Sequence, residues 1–318
     1  MSKFKIRHIT RYRYEETVRD SANQLMLYPI RDPFQDILEH TITITGNPMV
    51  HIHTDYFGNH VGTFTNAHPH RELVIDSQLT VATKLRQMPE DNSPPDSQWA
   101  ALQPLQHHME FVDFLRQEDF KALPEIRSIA ETELARKQSP FQSAQNVSEY
   151  IYKTFEYRTG ITTVETTLDE IWKIKSGVCQ DFAHMLLAIL RLMNIPARYV
   201  SGYICPNKSG MRGEGATHAW VEIHLPFYGW LGLDPTNNCL VNDTHVRLAV
   251  GKNFSDCSPV KGTYRGTSNH SLDVTVTVVN EDGSTTTADT SVTPGPMATT
   301  TNEQQNSFRK YQEMQMQQ

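Results

Sequence analysis

The chain has 318 residues, of which 38% are hydrophobic and 9% aromatic. At roughly 100–200 residues per domain, that supports two or three folded units. The formal net charge of −7, with both signs mixed, argues against a general nucleic-acid binder, whose surface is normally basic.

Residues 2–14 (SKFKIRHITRYRY) alternate through Phe4, Ile6 and His8 and again through Tyr12 and Tyr14, the period of a half-buried strand. ILEHTITIT at 37–45 is rich in β-branched residues, and GNP at 46–48 reads as a turn. The next segment, MVHIHTDYFGNHVGTFT, reads as strand, turn, strand, and residues 72–83 (ELVIDSQLTVAT) repeat the pattern. Short strands separated by turn residues predict an antiparallel β domain over 1–90. The polar, Pro-rich stretch QMPEDNSPPDSQ marks its end.

Helical spacing follows in a linker and helical segment over 91–142, at Ile126, Ile129, Ala130 and Leu134. Ser143 is positioned to cap a second helix running through Val147, Tyr150, Ile151 and Phe155. TTLDEIWKIKSG reads as a short helix ending at Gly177. A longer helix is expected from Cys179, with Phe182, Leu186, Ile189, Leu190 and Met193 on one face and Asn194–Pro196 as its stop. Strands are then predicted at 197–204, 217–225, 230–236 and 271–280, with a Gly-rich loop at 207–215 and a long irregular segment before the last strand. A core domain over 143–281 results. The Thr-, Ser- and Gln-rich tail over 282–318 is expected to be disordered.

Cys179 poses the chemical question, because a thiol at a helix start is not needed for packing. A thiol attacks as thiolate, and the positive end of a helix dipole favours that form. The free backbone N–H groups of a first turn also suit a developing oxyanion. A base is needed next. Among 14 histidines, His218 stands out because it follows the Gly-rich loop and opens a predicted strand. Asp234 ends the following strand. If the two strands form a hairpin through LPFYG, imidazole and carboxylate meet at one sheet edge, as a Cys–His–Asp triad requires.

GVCQDFAHMLLAILRLMNIPARYVSGYI and THAWVEIHLPFYGWLGLDPTNN resemble the transglutaminase-like (papain-related) core. The N-terminal region, with RYRY near its start and DYFGNHV at 55–61, resembles the bacterial transglutaminase-like N-terminal region. The likeness spans about residues 1–270. It implies an α+β fold, with the antiparallel β domain followed by a core in which the nucleophile helix packs on an antiparallel sheet. It also implies Cys179 as nucleophile, His218 as general base and acid, and Asp234 as the orienting carboxylate.

The expected substrate is a peptide or amide, with no cofactor and no metal. Hydrolysis through a thioester acyl-enzyme is favoured over transamidation because water needs no dedicated acceptor site. No Asp/Glu array suited to calcium is evident. A non-catalytic binding module is the reading from another class. The second oxyanion donor is open among Tyr157, Trp172 and Gln180. Cys205, Cys239 and Cys257 read as structural, Asp181 as a first-turn carboxylate, and His184 as a packed histidine. The four cysteines are too sparse for a disulfide framework and lack a CxxC pair. The histidines at 51, 53, 60, 68 and 70 lack carboxylate partners for a metal. MSKFKIRHIT carries no apolar leader core, and no run reaches the ~20 apolar residues of a membrane span. A cytoplasmic protein without membrane partners is therefore expected.

Overall fold

A computed structural model describes residues 1–132, 138–163, 166–205, 211–213, 216–266 and 269–292. The N-terminal third supplies β1 (Ser2–Leu25), β2 (Gln35–Ile44), β3 (His51–Thr54), β4 (His60–Asn66) and β5 (His70–Thr83). Helices α1 (Pro95–Leu102), α2 (Val112–Leu115), α3 (Leu123–Thr132) and α4 (Pro140–Thr154) follow. Then come β6 (Glu156–Tyr157), α5 (Leu168–Ile174), β7 (Ser176–Gly177) and α6 (Cys179–Leu192). The core strands are β8 (Ala197–Ile204), β9 (Thr217–Leu225), β10 (Gly229–Asp234), β11 (Cys239–Leu240) and β12 (His245–Gly251). The described chain closes with α7 (Phe254–Cys257), β13 (Val260–Arg265), β14 (His270–Asn280) and β15 (Thr285–Val292).

The first sheet is built around β1. Along its first half Phe4, Ile6, His8, Thr10, Tyr12 and Tyr14 are buried in alternation, which fixes one face inward. That half lies between β14 and β5, and the second half lies between β13 and β4. The change of partner falls where the register shifts and where Asp20 adopts a left-handed φ of 52°.

This pairing cuts across the expected division at 90 and 281. The strand placed with the core at 271–280 pairs with β1 from Phe4↔Asn280 to Tyr14↔His270. β15 then adds to β14, so residues 285–292 of the expected disordered tail form a strand. Residues 293–318 lie outside the described residues.

The second sheet runs β11-β10-β9-β8-β12, antiparallel throughout. On one face it receives α6, whose Phe182, Leu186, Ile189 and Leu190 share a core with Tyr199, Val221, Ile223 and Leu231. Each such fully buried side chain contributes roughly 1.5–3 kcal/mol. On the other face Tyr203, Cys205, Val246 and Leu248 pack into the core of the first sheet. The core sheet is thus held between α6 and the first sheet, in the expected α+β arrangement.

β12 is an edge strand, and its free peptide groups are closed by two amide side chains. Gln35 accepts from Arg247 N at 2.8 Å and donates to Arg247 O at 2.9 Å. Asn59 does the same for Val250, at 2.8 and 2.7 Å. β12 lies in the segment expected to be irregular. Every one of its seven residues is buried, so it shows no alternation to read.

A buried charge cluster joins the domains. Glu222 is fully buried and meets Arg198 at 2.7 Å and Arg247 at 2.9 Å, and Arg247 also pairs with Asp32. Burial opposes ionisation of Glu222, but Arg247 and Arg198 outweigh it and pull the carboxyl down to about 2. A depressed carboxyl stabilises the fold above its ordinary value of 4.5 and loses that contribution as pH falls through about 2. Glu222→Gln is expected to cost about 3–5 kcal/mol in chemical denaturation, because Arg198 is left buried without its counter-charge and Arg247 keeps only Asp32. The variant should also show a flatter acid limb of stability than wild type. Equal stability of the two proteins at pH 7 would contradict this account.

The helix expected from Ser143 starts earlier. Ser139 is the N-cap, accepting from Gln142 N at 3.2 Å, and Pro140 occupies the first turn. Ser143 is buried inside α4.

Candidate active site

α6 begins at Cys179, separated from the two-residue strand β7 only by the N-cap Val178. The thiol is half-buried, in contrast to the fully buried Cys205 and Cys257. The entry turn is fixed by Asp181, whose Oδ2 accepts from Val178 N and from Thr162 Oγ1, both at 2.8 Å. An N3 carboxylate reaching back to the N-cap amide is half of a capping box. The Asp181 carboxylate lies directly over Gly177, where an added Cβ would stand 2.3 Å from Oδ2. Gly177→Ala is therefore expected to cost about 1–3 kcal/mol by overpacking and to shift Cys179. An unchanged melting temperature would show that the turn can give way.

His218 is the second residue of β9 and Asp234 the last of β10. The strands are antiparallel neighbours, with Leu225↔Gly229 and Val221↔Leu233 in register, so the hairpin brings both residues to one end of the sheet. His218 Nε2 lies 2.9 Å from Asp234 Oδ2, both side chains being fully buried. The other ring nitrogen, Nδ1, is buried without an ideally aligned partner. The Cys179 sulfur is near enough to act on the ring, and Cys179 and His218 line one narrow cleft with Gln180, Tyr199 and Phe254. Burial disfavours the imidazolium, but Asp234 and Cys179 prevail and push His218 up to about 10.

Asp234 gathers five donors. Its Oδ2 receives His218, Asn237 Nδ2 at 2.7 Å and His245 Nε2 at 3.3 Å. Its Oδ1 accepts from the backbone of Thr236 at 2.9 Å and of Asn237 at 3.3 Å. Burial alone would raise this carboxyl, yet His218 and His245 hold it well below the usual range. His245 is buried and its pKa is lowered, burial outweighing Asp234. As a neutral ring it donates through Nε2, with Thr244 Oγ1 at 3.1 Å from Nδ1.

Asn237 also accepts from Arg212 N at 2.7 Å and donates to Arg212 O at 3.2 Å, tying Asp234 to the described part of the Gly-rich loop. There Gly213, at φ +80°, is so close to the imidazole that a Cβ would stand 3.1 Å from His218 Nδ1.

The sequence reading missed His245 and Asn237. His245 sits on the strand with no alternation, so no local pattern marks it. Asn237 had a signal: D-P-T-N is an Asx-type turn, in which a carboxylate binds backbone N–H groups two and three residues on.

Of the three residues considered for a second oxyanion donor, Trp172 is buried against Phe155 and Lys175 and does not line the cleft. Gln180 lines the cleft. Tyr157 packs its ring on Phe182. Burial, followed by the charges of Cys179 and Asp234, raises its phenol, which stays protonated as a donor.

His218, Asp234 and His245 also form a group of ligand-type atoms within 4.8 Å of one another. A cation there would have to displace both hydrogen bonds to Asp234. His51 and His53 lie on the exposed strand β3, rings 6.2 Å apart.

Residues 4–82 match the bacterial transglutaminase-like N-terminal region, and residues 127–235 match the transglutaminase-like superfamily. An uncharacterized protein of Mycobacterium tuberculosis (strain ATCC 25618 / H37Rv) is 32% identical over 303 residues, covering 88% of this chain and 94% of its own. The chain belongs to the transglutaminase-like superfamily. Within this superfamily it is similar over a shorter stretch to the protein-glutamine gamma-glutamyltransferase of Pseudomonas aeruginosa (strain PAO1), 31% identical over 121 residues, or 36% of this chain and 18% of that one. A crystal structure from Cytophaga hutchinsonii shares the fold with a TM-score of 0.69 at 18% identity, covering 95% of this chain and 94% of that chain. The transglutaminase-like match runs from α3 to the residue after Asp234 and so includes Cys179, His218 and Asp234, but stops short of His245.

Proposed function

We propose that the protein is a cysteine-dependent hydrolase of amide or peptide bonds, working through a thioester on Cys179. The observation that carries this reading is the position of His218, held by a fully buried Asp234 on one ring nitrogen and facing the Cys179 sulfur with the other. The Cys179 thiolate attacks the amide carbonyl, forming a C–S bond and an oxyanion. The Cys179 backbone N–H in the open first turn of α6 and the Tyr157 hydroxyl or the Gln180 amide are the donors to that oxygen. The His218 imidazolium then gives its proton to the leaving nitrogen, the C–N bond breaks, and an acyl thioester remains. Neutral His218 next takes a proton from water, whose oxygen attacks the thioester. The C–S bond breaks, the acid is released, and the Cys179 thiolate and His218 imidazolium are restored. Asp234 keeps its charge throughout and fixes the ring orientation.

Water needs no site of its own, which favours hydrolysis. The C. hutchinsonii structural neighbour is described as a candidate cysteine protease, which fits this reading. The likeness to the P. aeruginosa gamma-glutamyltransferase favours transamidation as the second reading, in which an amine replaces water. Incubation with a glutamine-containing protein and a fluorescent amine separates the two. Hydrolysis predicts ammonia or peptide release without fluorescent product. Amine incorporation at a rate matching ammonia release would replace hydrolysis by acyl transfer.

A further inference from the structure

α6 has a second polar face. One turn beyond Cys179, His184, Leu187, Ala188 and Arg191 line a cavity of about 370 Å3 on the side of the helix bounded by the 118–120 loop and α5. This volume is separate from the cleft of Cys179, whose lining residues differ. Liquid water takes about 30 Å3 per molecule, so the cavity suits a ligand of roughly a dozen heavy atoms.

The polar groups are arranged by sign. Arg191 lines the cavity and is only 4% exposed. Its Nη2 donates to Ala197 O at 3.1 Å and to Lys252 O at 2.6 Å, while Nε is buried without a partner. His184 accepts the Phe254 backbone N–H on Nε2 at 3.2 Å. Its proton therefore sits on Nδ1, and burial together with Arg191 keeps the ring neutral, with its pKa down to about 4. The inner part of the cavity thus presents donors, of which Arg191 Nε is buried without an acceptor.

The outer part is acidic. Glu118 and Asp119 line the cavity from an exposed loop. Glu118 acts electrostatically on Arg191, yet the two form no ion pair. The loop is pinned by Asp169, which accepts from Lys121 N at 3.0 Å and Ala122 N at 2.8 Å, so these two carboxylates are presented on anchored backbone. Phe120, Leu168, Leu187 and Ala188 make the apolar wall between the two ends.

We infer that this cavity binds a small zwitterion of dipeptide size, its carboxylate on Arg191 and His184 and its ammonium against Glu118 and Asp119. An anion alone would face the acidic rim. A cation alone would leave the buried Arg191 Nε without an acceptor. A molecule carrying both charges at its two ends answers both.

Isothermal titration of the full chain with alanyl-alanine tests this, after Cys179 has been blocked with iodoacetamide so that the catalytic cleft can neither bind nor turn over the probe. Saturable binding at one site is expected, with N-acetyl-alanyl-alanine and alanyl-alanine amide each weaker by about tenfold or more, the loss of one charge-assisted contact. Arg191→Met should abolish binding. Because that change can unfold the protein, Glu118→Gln/Asp119→Asn serves as a second variant, on exposed side chains. It should lower affinity for alanyl-alanine to that of the N-acetylated peptide. No binding up to about 10 mM, equal binding of the singly charged probes, or affinity untouched by the double variant would each overturn the assignment. None of these results bears on the activity of Cys179, which is blocked throughout.

Discussion

Cys179→Ala is expected to lower turnover of an activated ester or amide by about 10^5-fold or more, the scale on which loss of a nucleophile acts when base and oxyanion donors remain. Stability should change by about 1 kcal/mol or less. The sulfur is half-buried at the helix start, and the turn that presents it is held by Asp181, Val178 and Thr162. Loss of activity and retention of fold are therefore separable at this position. Release of p-nitrophenol from an ester, with circular dichroism of the same samples, reads both. A variant with a tenth or more of wild-type turnover would remove the thioester from the mechanism and revive the binding-module reading.

Asp234→Asn is expected to cost about 10^4-fold in turnover, the effect of replacing the buried carboxylate of a triad by its amide. The physical reason is local. Asp234 Oδ2 is acceptor for His218, Asn237 and His245 at once. An amide in its place brings two N–H donors toward donors already there, so at least one of these bonds is lost. Stability should fall by roughly 3–5 kcal/mol, as when one partner of a buried ion pair is removed.

The pH dependence carries its own sign. His218 is raised from 6.5 to about 10, so its contribution to stability is complete below 6.5 and is lost as pH rises through about 10. Asp234→Asn should flatten this alkaline limb. Chemical denaturation at several pH values checks it, and parallel alkaline limbs in the two proteins would show that the pair is not ionised in the fold.

How much of this was legible depends on what leaves a local pattern. α6 was readable because Phe182, Leu186, Ile189 and Leu190 recur at helical spacing and are all buried. The hairpin of β9 and β10 was readable because two short strands flank the tight LPFYG connection, and its register carries His218 and Asp234 to one end. The pairing of β14 with β1 was not readable, since the partners lie more than 250 residues apart and a strand does not advertise its neighbour. His245 was hidden for a related reason. It approaches Asp234 only because β12 folds against β8, with His245 opposite Ile204. The tail illustrates the opposite error. The polarity of the Thr-rich stretch at 285–292 suggests disorder, although Thr favours strands and the edge of β14 is available to it.

Iodoacetamide alkylation of the four cysteines, followed site by site by mass spectrometry from about pH 5 to about pH 10, tests most directly whether one sulfur is set apart for chemistry. Burial pushes Cys239 up to about 12 and Cys205 and Cys257 well above the ordinary range. A thiol at about 12 is ionised to roughly one part in 10^5 at pH 7. The account predicts that Cys179 reacts at least about a hundredfold faster than the other three near neutral pH, and that His218→Ala removes most of this advantage. Equal rates at the four sites, or a rate at Cys179 that ignores His218, would contradict it.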